Sequence, residues 1–313
     1  MSLTSQLEAK DSPVRKFLQK YEDKHGVSGC LAELQSSKPI KHPSYEPASR
    51  PVWGFIGTTM DYLFRYVANN NLLDLNQTLA GKVNSYAQGE TLNVLFRIAE
   101  TYLDGRKPDE AVVYSATALS MSDNFYRSGG RLPTCFYEPF TNEDLRRLES
   151  LPASYNSFEK EIMLRFYDYF CNSLGGKYYA QDILEMIEIL SSEKHSADDE
   201  FSNATISVFN RTLKNSGLVD GCDFDCVINK DNVQILTDIK TTIKPLLIFS
   251  LRQIICYALL HDEKKDGFKI DELGIYYSRS GSFRHLPTES LIQRCLPSLG
   301  SLKKAKNSFM REI

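Results

Sequence analysis

Two short apolar runs, each bordered by an acid, most constrain what this chain can form. Cys226–Ile228 and Val233–Ile239 are β-prone, and Asn229–Asn232 between them are turn formers. The pattern predicts an antiparallel hairpin. Directly opposed residues of such a pair point to the same face, so we expect Asp225 and Asp238 to lie opposite or diagonal to each other there.

A lysine joins the two acids at the same end of the hairpin. Lys240 follows Asp238 by two residues, and the two-residue period of a strand puts both on one face. Two adjacent carboxylates repel unless a cation sits between them. Such oxygen ligands suit Mg²⁺ or Mn²⁺, which polarise a phosphoryl oxygen and lower the pKa of a bound water. Because the lysine can stabilise charge that develops on the phosphate, the residues predict metal-assisted phosphodiester hydrolysis.

A helix is predicted after the hairpin, beginning at Pro245, where proline is tolerated. Its inward stripe contains Gln253, a polar residue that needs a hydrogen-bond partner there. Tyr257 follows four residues later. The alternative for this residue is simple core packing, which is compatible with a role at the site. Arg252 lies on another face and is a candidate for contact with a nucleic-acid backbone. The stripe consists of Leu246, Phe249, Gln253, Tyr257 and Leu260.

These residues together resemble the PD-(D/E)XK nuclease superfamily and, within it, the RecB-like branch. The resemblance covers roughly Gly221 to Arg279 and one helix upstream. It implies a restriction-endonuclease-like core with Mg²⁺ or Mn²⁺ as the cofactor. It also implies that Gln253 orients the lysine or a metal-bound water. The residues that carry the resemblance are Asp225, the run Asp238-Ile239-Lys240-Thr241-Thr242, Gln253 and Tyr257; Asp225 and Asp238 correspond to metal ligands and Lys240 to the catalytic lysine.

The first acid of the motif has an alternative. No proline precedes the acid, which departs from the family pattern. Asp225 is favoured because it directly precedes the apolar run that begins at Cys226. Asp223 lies two residues before Asp225, so it points to the same face of the strand and is the second candidate. For the whole motif, the alternative is a surface hairpin with solvated charges, which would leave Gln253 and Tyr257 as coincidences.

An upstream stretch resembles another element of the family. RecB-like nucleases have a helix in which a glycine is followed, four residues on, by a histidine that reaches the metal. Here Gly57 is followed by Asp61 at that position, so the resemblance makes Asp61 a third metal ligand, direct or through water. The alternative is an ion pair with Arg65 at i+4, although Arg65 is also a candidate for phosphate contact. Gly57, Thr58 and Thr59 predict the start of this helix.

Composition limits the function classes. The 313 residues suffice for one large or two ordinary domains, and 42% hydrophobic with 25% charged residues is typical of a globular protein. A net charge of -3 weakens a pure DNA-binding module, but it is compatible with an enzyme whose basic residues line one groove. The absence of a P-loop motif indicates that any coupled ATPase would be a separate chain.

The cysteines and the N-terminus bear on compartment. Seven cysteines without a C-x-x-C pair disfavour zinc ribbons and disulfide frameworks. Some RecB-like exonucleases carry an iron–sulfur cluster on a C-terminal cysteine triplet, whereas only Cys295 lies in that region here, so we expect no cluster. The N-terminus is polar and no run is long enough to span a membrane, so a cytoplasmic protein without membrane contact is expected.

The predicted fold is α/β, with a small mixed sheet flanked by helices and a large helical insertion. We expect residues 1–50 to form an N-terminal arm with one short helix, Ser12–Tyr21. Residues 51–70 and 205–313 are expected to form the nuclease core, and 71–204, which show helical apolar spacing, the insertion. Further predicted elements are a strand in Val208–Gly217, a central strand Leu273–Ser278 and a final helix in Pro287–Leu299.

The function expected from the resemblance is a Mg²⁺-dependent deoxyribonuclease. Family analogy alone places it in DNA repair, recombination or defence against foreign DNA. DNA is the favoured substrate, but nothing in the sequence separates it from RNA, so an RNase stays open. The other alternative is a catalytically silent nuclease-fold scaffold whose helical insertion binds a protein partner.

Overall fold

The computed structural model describes residues 3–43, 50–78, 80–81, 90–103, 105–195, 201 and 204–313. They form a mixed α/β structure with a five-stranded sheet and many helices. The chain divides into two units, which we call the sheet unit (Met1–Lys41 with Ser192–Ile313) and the helical unit (His42–Ser191). Within the described ranges, no helix has both the length and the apolar character needed to cross a membrane.

The sheet is mixed, as predicted. Its spatial order follows the chain, and every neighbouring pair of strands is antiparallel except the third and the fourth, which are parallel. A parallel pair needs a long crossover, and helix α10 (Ile248–Leu260) lies within that connection. The first strand ends before the predicted Gly217, and the fifth, which follows a turn, is not predicted from the sequence. The strands are β1 Thr205–Thr212, β2 Asp223–Lys230, β3 Val233–Lys240, β4 Glu272–Tyr277 and β5 Ser282–Pro287.

The predicted hairpin is formed by β2 and β3, with a tighter turn than expected. Lys230 pairs with Val233, so the loop holds only Asp231 and Asn232. Their φ angles are +52° and +64°, the left-handed region that two-residue hairpin turns require. Asp and Asn tolerate this region because their short polar side chains bond locally. The four-residue turn of the prediction is therefore two residues long.

One face of the sheet is covered by helices. Val227, Leu236, Leu273 and Ile275 lie in a buried apolar core. The N-terminal residues supply three helices to this core, not the single helix predicted, and α2 matches the predicted Ser12–Tyr21. The predicted last helix ends at Cys295, and another follows it. The covering helices are α1 Leu3–Glu8, α2 Pro13–Tyr21, α3 Lys24–Leu34, α10, α12 Thr288–Cys295 and α13 Leu302–Glu312; the short α11 Glu263–Asp266 follows α10.

The helical unit contains helix α4 (Arg50–Ala68), although residues 51–70 are predicted to belong to the nuclease core. This helix begins at Arg50, not at Gly57. Thr58 does not cap it, because its hydroxyl donates to Gly54 O within the helix at 3.2 Å. Thr59 is fully buried, with its Oγ1 2.9 Å from Ser120 Oγ and 2.8 Å from Tyr179 Oη. These buried contacts fasten α4 to other helices of its unit.

The other helices of this unit lie in the segment where helical spacing was predicted. Side chains cap the starts of three of them, and Thr141, for example, forms a capping box with Asp144. The helices are α4 Arg50–Ala68, α5 Glu90–Tyr102, α6 Glu110–Arg127, α7 Asn142–Ser150, α8 Ser157–Asp168 and α9 Gly176–His195.

A group of charged side chains is buried between α4 and α6. Arg65 and Asp123 are each only 2% exposed. The Tyr62 hydroxyl donates to Asp123 Oδ1 at 2.7 Å, and Arg65 pairs with Asp61. Burial raises the pKa of Asp123 to about 6, against the lowering effect of the Tyr62 hydrogen bond and the nearby arginines. The helical unit therefore holds an acid that titrates near neutral pH.

Replacing this acid should change the pH dependence of stability. A carboxyl whose folded pKa is raised loses its stabilising effect as pH rises from its ordinary value through the folded pKa, here from about 4 to about 6. Asp123→Asn stays neutral and keeps an acceptor for Tyr62. We expect the variant to gain about 2–3 kcal/mol relative to wild type between pH 4 and pH 7 in urea unfolding. A difference that does not change with pH would contradict this, and Asp168→Asn on α8 is the control.

The hairpin turn yields a second expectation. Asn232→Val should lower the unfolding free energy of the sheet unit by about 1–2 kcal/mol, because a β-branched residue is strained at positive φ. Asn232→Gly is the matched control, since glycine adopts this region freely. Urea unfolding compares the three proteins. Equal midpoints for the valine and glycine variants would show that the turn is not strained.

Candidate active site

The hairpin register places the two acids opposite each other. Cys226 pairs with Thr237, so Asp225 and Asp238 are the next residues along the two strands. Asp225 Oδ2 also accepts a hydrogen bond from the Ile239 N–H at 2.7 Å. This contact fastens β3 beside Asp238, where the ladder to β2 ends. The arrangement is the one expected from strand alternation.

Asp238 and Lys240 form an ion pair at the end of the apolar sheet face. Asp238 is 2% exposed, and its Oδ2 lies 2.5 Å from Lys240 Nζ. Burial lowers the pKa of Lys240, but the carboxylates of Asp238 and Asp225 outweigh it and leave the pKa above its ordinary value. The lysine is therefore charged at neutral pH.

Gln253 on α10 meets the lysine, as the inward stripe predicted. Its Oε1 lies 3.5 Å from Lys240 Nζ, the outer limit of a hydrogen bond, and its Nε2 donates to Tyr257 Oη at 2.7 Å. Burial raises the pKa of Tyr257, and the two acids raise it further, so the phenol stays protonated. A line of polar contacts thus runs from Asp238 through Lys240 and Gln253 to Tyr257, and it links β3 to α10.

Tyr277 on β4 is a neighbour of this line that the sequence analysis missed. It is the register partner of Lys240 in the parallel pair, and its hydroxyl donates to Leu34 O at 2.6 Å. Burial raises the pKa of Tyr277, and the charge of Asp238 raises it further. The apolar run predicted the strand, but only the pairing of β3 with β4 brings Tyr277 to the site.

The second candidate for the first acid is engaged elsewhere. Asp223 pairs with Thr212 of β1, and the Thr212 hydroxyl donates to Asp223 Oδ1 at 2.6 Å. Asp225, in contrast, lies directly beside the Asp238 segment. The geometry therefore favours Asp225 over Asp223.

Arg252 forms an internal ion pair. Its Nε lies 2.8 Å from Glu22 Oε1, and its Nη2 lies 2.5 Å from Glu22 Oε2. Both side chains are largely buried. The residue proposed from sequence for phosphate contact thus ties α10 to the N-terminal helices.

Asp61 lies in the helical unit, whereas Asp225 and Asp238 lie in the sheet unit. Its carboxylate pairs with Arg65, the alternative that the i+4 spacing left open. Because Arg65 is only 2% exposed, it is not placed to touch phosphate. The role of Asp61 as a third metal ligand stays a prediction.

The two opposed acids carry the oxygen ligands that a hard divalent cation prefers. Among the described residues, no group of three or more His, Cys, Asp and Glu is placed to hold a metal. Mg²⁺, however, commonly takes only one or two carboxylates and completes its shell with water and substrate phosphate. Asp238 Oδ2 is buried, and the Lys240 ammonium lies 2.5 Å from it, so this oxygen is already beside a cation. Asp225 and Asp238 are the residues that would hold the divalent cation.

No protein-family model matches the sequence, and no curated protein matches it. The chemistry of the site therefore rests on its own geometry and on the motif described above.

The ion pair predicts that substitutions of Lys240 and Asp238 have non-additive effects on the free energy of unfolding. Lys240→Met should lower the unfolding free energy of the sheet unit by roughly 2–4 kcal/mol, because it leaves the Asp238 charge buried without its cation. This loss of stability is smaller than for a fully buried pair, because one fifth of the lysine side chain is exposed and solvent screens its charge. In an Asp238→Asn background the same change should cost far less. Urea unfolding of the four proteins measures the coupling, with Lys230→Met at the other end of the hairpin as control, and simple additivity would contradict the pair.

Proposed function

We propose that this protein is a metal-dependent nuclease that hydrolyses DNA phosphodiester bonds through a PD-(D/E)XK-like site. One observation carries the proposal. Two acids stand opposite each other on β2 and β3, and the second is paired at 2.5 Å with a lysine that α10 meets through Gln253. A solvated surface hairpin does not account for this, because Asp238 is almost completely buried. Burying such a charge is costly unless it has a role or a partner.

Each side chain has a role suited to phosphoryl transfer. Asp225 and Asp238 would hold Mg²⁺ or Mn²⁺, and a metal bound there would supply polarisation of the phosphoryl oxygen and activation of a water. Lys240 stabilises the negative charge that develops on the phosphate, and its raised pKa keeps it charged for this purpose. Gln253 positions the lysine, and Tyr257 fixes the orientation of the Gln253 amide by accepting from its Nε2. Positioning and charge stabilisation suffice, since phosphoryl transfer needs little covalent chemistry from the protein.

The biological role follows from the motif resemblance alone. It supports DNA repair, recombination or defence against foreign DNA in the cytoplasm. The helical unit is proposed to clamp the nucleic acid or to bind a protein partner.

A second candidate function is a non-catalytic scaffold. Its support is that no three-residue group in the described ranges is placed to hold a metal, and that Asp61 already has a partner in Arg65. In this case the fold persists and the helical unit binds a partner protein. The intact Asp225, Asp238 and Lys240 favour the enzyme.

Cleavage of labelled single-stranded DNA, double-stranded DNA and RNA with Mg²⁺ or Mn²⁺ tests the proposal. Wild type should cleave DNA, and Lys240→Ala should be slower by about 10²–10³-fold, the usual loss when one charge-stabilising group is removed. Lys230→Ala, on the same hairpin but at its far end, should cleave like wild type. Cleavage confined to RNA would make the protein an RNase.

Metal binding separates the enzyme from the scaffold. Calorimetric titration of Mn²⁺ should show binding to wild type and to Lys230→Ala, and its loss in Asp238→Ala. Folded wild-type protein that neither binds Mn²⁺ nor cleaves any substrate would leave the scaffold as the function.

A further inference from the structure

A glutamine outside the motif holds the segment that leads from the site lysine to α10. Gln35 directly follows α3, and its side-chain amide meets both backbone groups of Leu246. Gln35 Nε2 donates to Leu246 O at 3.0 Å, and the Leu246 N–H donates to Gln35 Oε1 at 2.9 Å. We call this pair of hydrogen bonds the Gln35 clamp. Because the Leu246 side chain also belongs to the core, Leu246 is fixed through its backbone and its side chain at once.

The Gln35 clamp lies where α10 lacks a side-chain cap. Leu247 is the N-cap residue, and its side chain has no oxygen to accept from the first-turn N–H groups. Helix ends fray, so the position of an uncapped first turn depends on what holds the residue before it. That residue is Leu246. The clamp therefore takes the place of a cap in fixing where α10 begins.

The same end of α3 also contacts the strand beside the lysine. Tyr277 on β4 is the register partner of Lys240, and its hydroxyl donates to Leu34 O at 2.6 Å. Leu34 directly precedes Gln35 in the chain. Consecutive residues at the end of α3 thus contact the strand that pairs with Lys240 and the start of the helix that carries Gln253. The end of α3 therefore ties together the two elements on which the contact between Lys240 and Gln253 depends.

The contact between Lys240 and Gln253 leaves little room for movement. Lys240 Nζ and Gln253 Oε1 are 3.5 Å apart, the outer limit of a hydrogen bond. Gln253 lies in the second turn of α10, about 7.5 Å along the helix axis from Ile248. Even a small shift of α10 away from β3 would break the contact. A residue that fixes the start of α10 therefore bears on the position of Gln253.

We propose that Gln35 is a positioning residue of the nuclease site, which acts on Lys240 through Gln253. The inference rests on the proposed nuclease function and adds to the site a residue that lies outside its motif. The clamp fixes Leu246, Leu246 fixes the start of α10, and α10 presents Gln253 to the lysine. Because Asp225 and Asp238 lie on the hairpin, the clamp governs the lysine side of the site and not the carboxylates.

A double-mutant cycle on kcat tests this role. Hydrolysis of bis(p-nitrophenyl) phosphate with Mn²⁺ is measured for wild type, Gln35→Met, Gln253→Ala and the double variant. Gln35→Met removes both hydrogen bonds of the clamp, and it should lower kcat about tenfold or more with KM unchanged, since misplacing a catalytic group is costly. In the Gln253→Ala background the same change should lower kcat by at most about twofold. An equal loss in both backgrounds would show a general structural effect and overturn the positioning role.

Two further variants separate the positioning role from a folding defect. Gln35→Glu keeps the acceptor for the Leu246 N–H but loses the donor to Leu246 O, so its kcat should lie between those of wild type and Gln35→Met. Gln293→Met is the matched control. It alters an exposed glutamine on α12 whose Nε2 donates to Glu289 Oε1 on the same helix at 3.1 Å, and it should hydrolyse the diester like wild type. A Gln35→Met protein with the wild-type kcat would overturn the inference.

Amide hydrogen exchange gives a readout that needs no activity. The N–H groups of Leu246, Ser250 and Leu251 are hydrogen-bonded at or near the start of α10, and they should exchange about tenfold faster in Gln35→Met than in wild type. Unchanged exchange would overturn the clamp while an active wild type keeps the nuclease. A wild type that hydrolyses neither DNA nor the diester would overturn the nuclease and the positioning role with it, and faster exchange would then mark a purely structural contact.

Discussion

A buried carboxylate next to a lysine is the constraint on which the sheet unit depends. Asp238 is almost fully buried, and a charge in such a place is stable only with a cation beside it. Lys240 supplies that charge from the same strand, and Gln253 of α10 lies 3.5 Å from its ammonium group. The apolar sheet face therefore ends in a polar corner whose parts come from β2, β3 and α10. Each of these elements must be in register for the corner to be tolerated.

Register begins at the far end of the hairpin. Only a two-residue turn at Asp231 and Asn232 pairs Lys230 with Val233. A shift of one residue would move Asp238 to the opposite face of the sheet, away from α10. The hydrogen bond from the Ile239 N–H to Asp225 fixes the same register at the site end. The hairpin is thus secured at both ends, which is the rigidity that a positioned pair of acids needs.

Local patterns predict much of this corner, and distant pairings account for the rest. The hairpin and the facing acids follow from the two-residue period of the strands. The Gln253 stripe follows from the roughly four-residue spacing of apolar side chains on the helix. Tyr277 reaches the site only through the parallel pairing of β3 and β4, and Arg252 pairs with Glu22 far away in the chain. The sequence near Gly57 is typical of a helix start. The buried hydrogen bonds of Thr59, however, connect α4 to other helices of the helical unit, and no local pattern predicts them.

The sheet unit is discontinuous along the chain, and this affects how it is made. Its first part, Met1–Lys41, leaves the ribosome before the whole helical unit and before any strand. Translation adds about 5–20 residues per second, so the apolar faces of α1 to α3 stay without the sheet that they cover for on the order of ten seconds. The helical unit is complete by then, so the order of synthesis favours its folding first. The apolar faces of the N-terminal helices therefore stay uncovered by the sheet until the hairpin is synthesised. Slow translation of the middle segment lengthens this period.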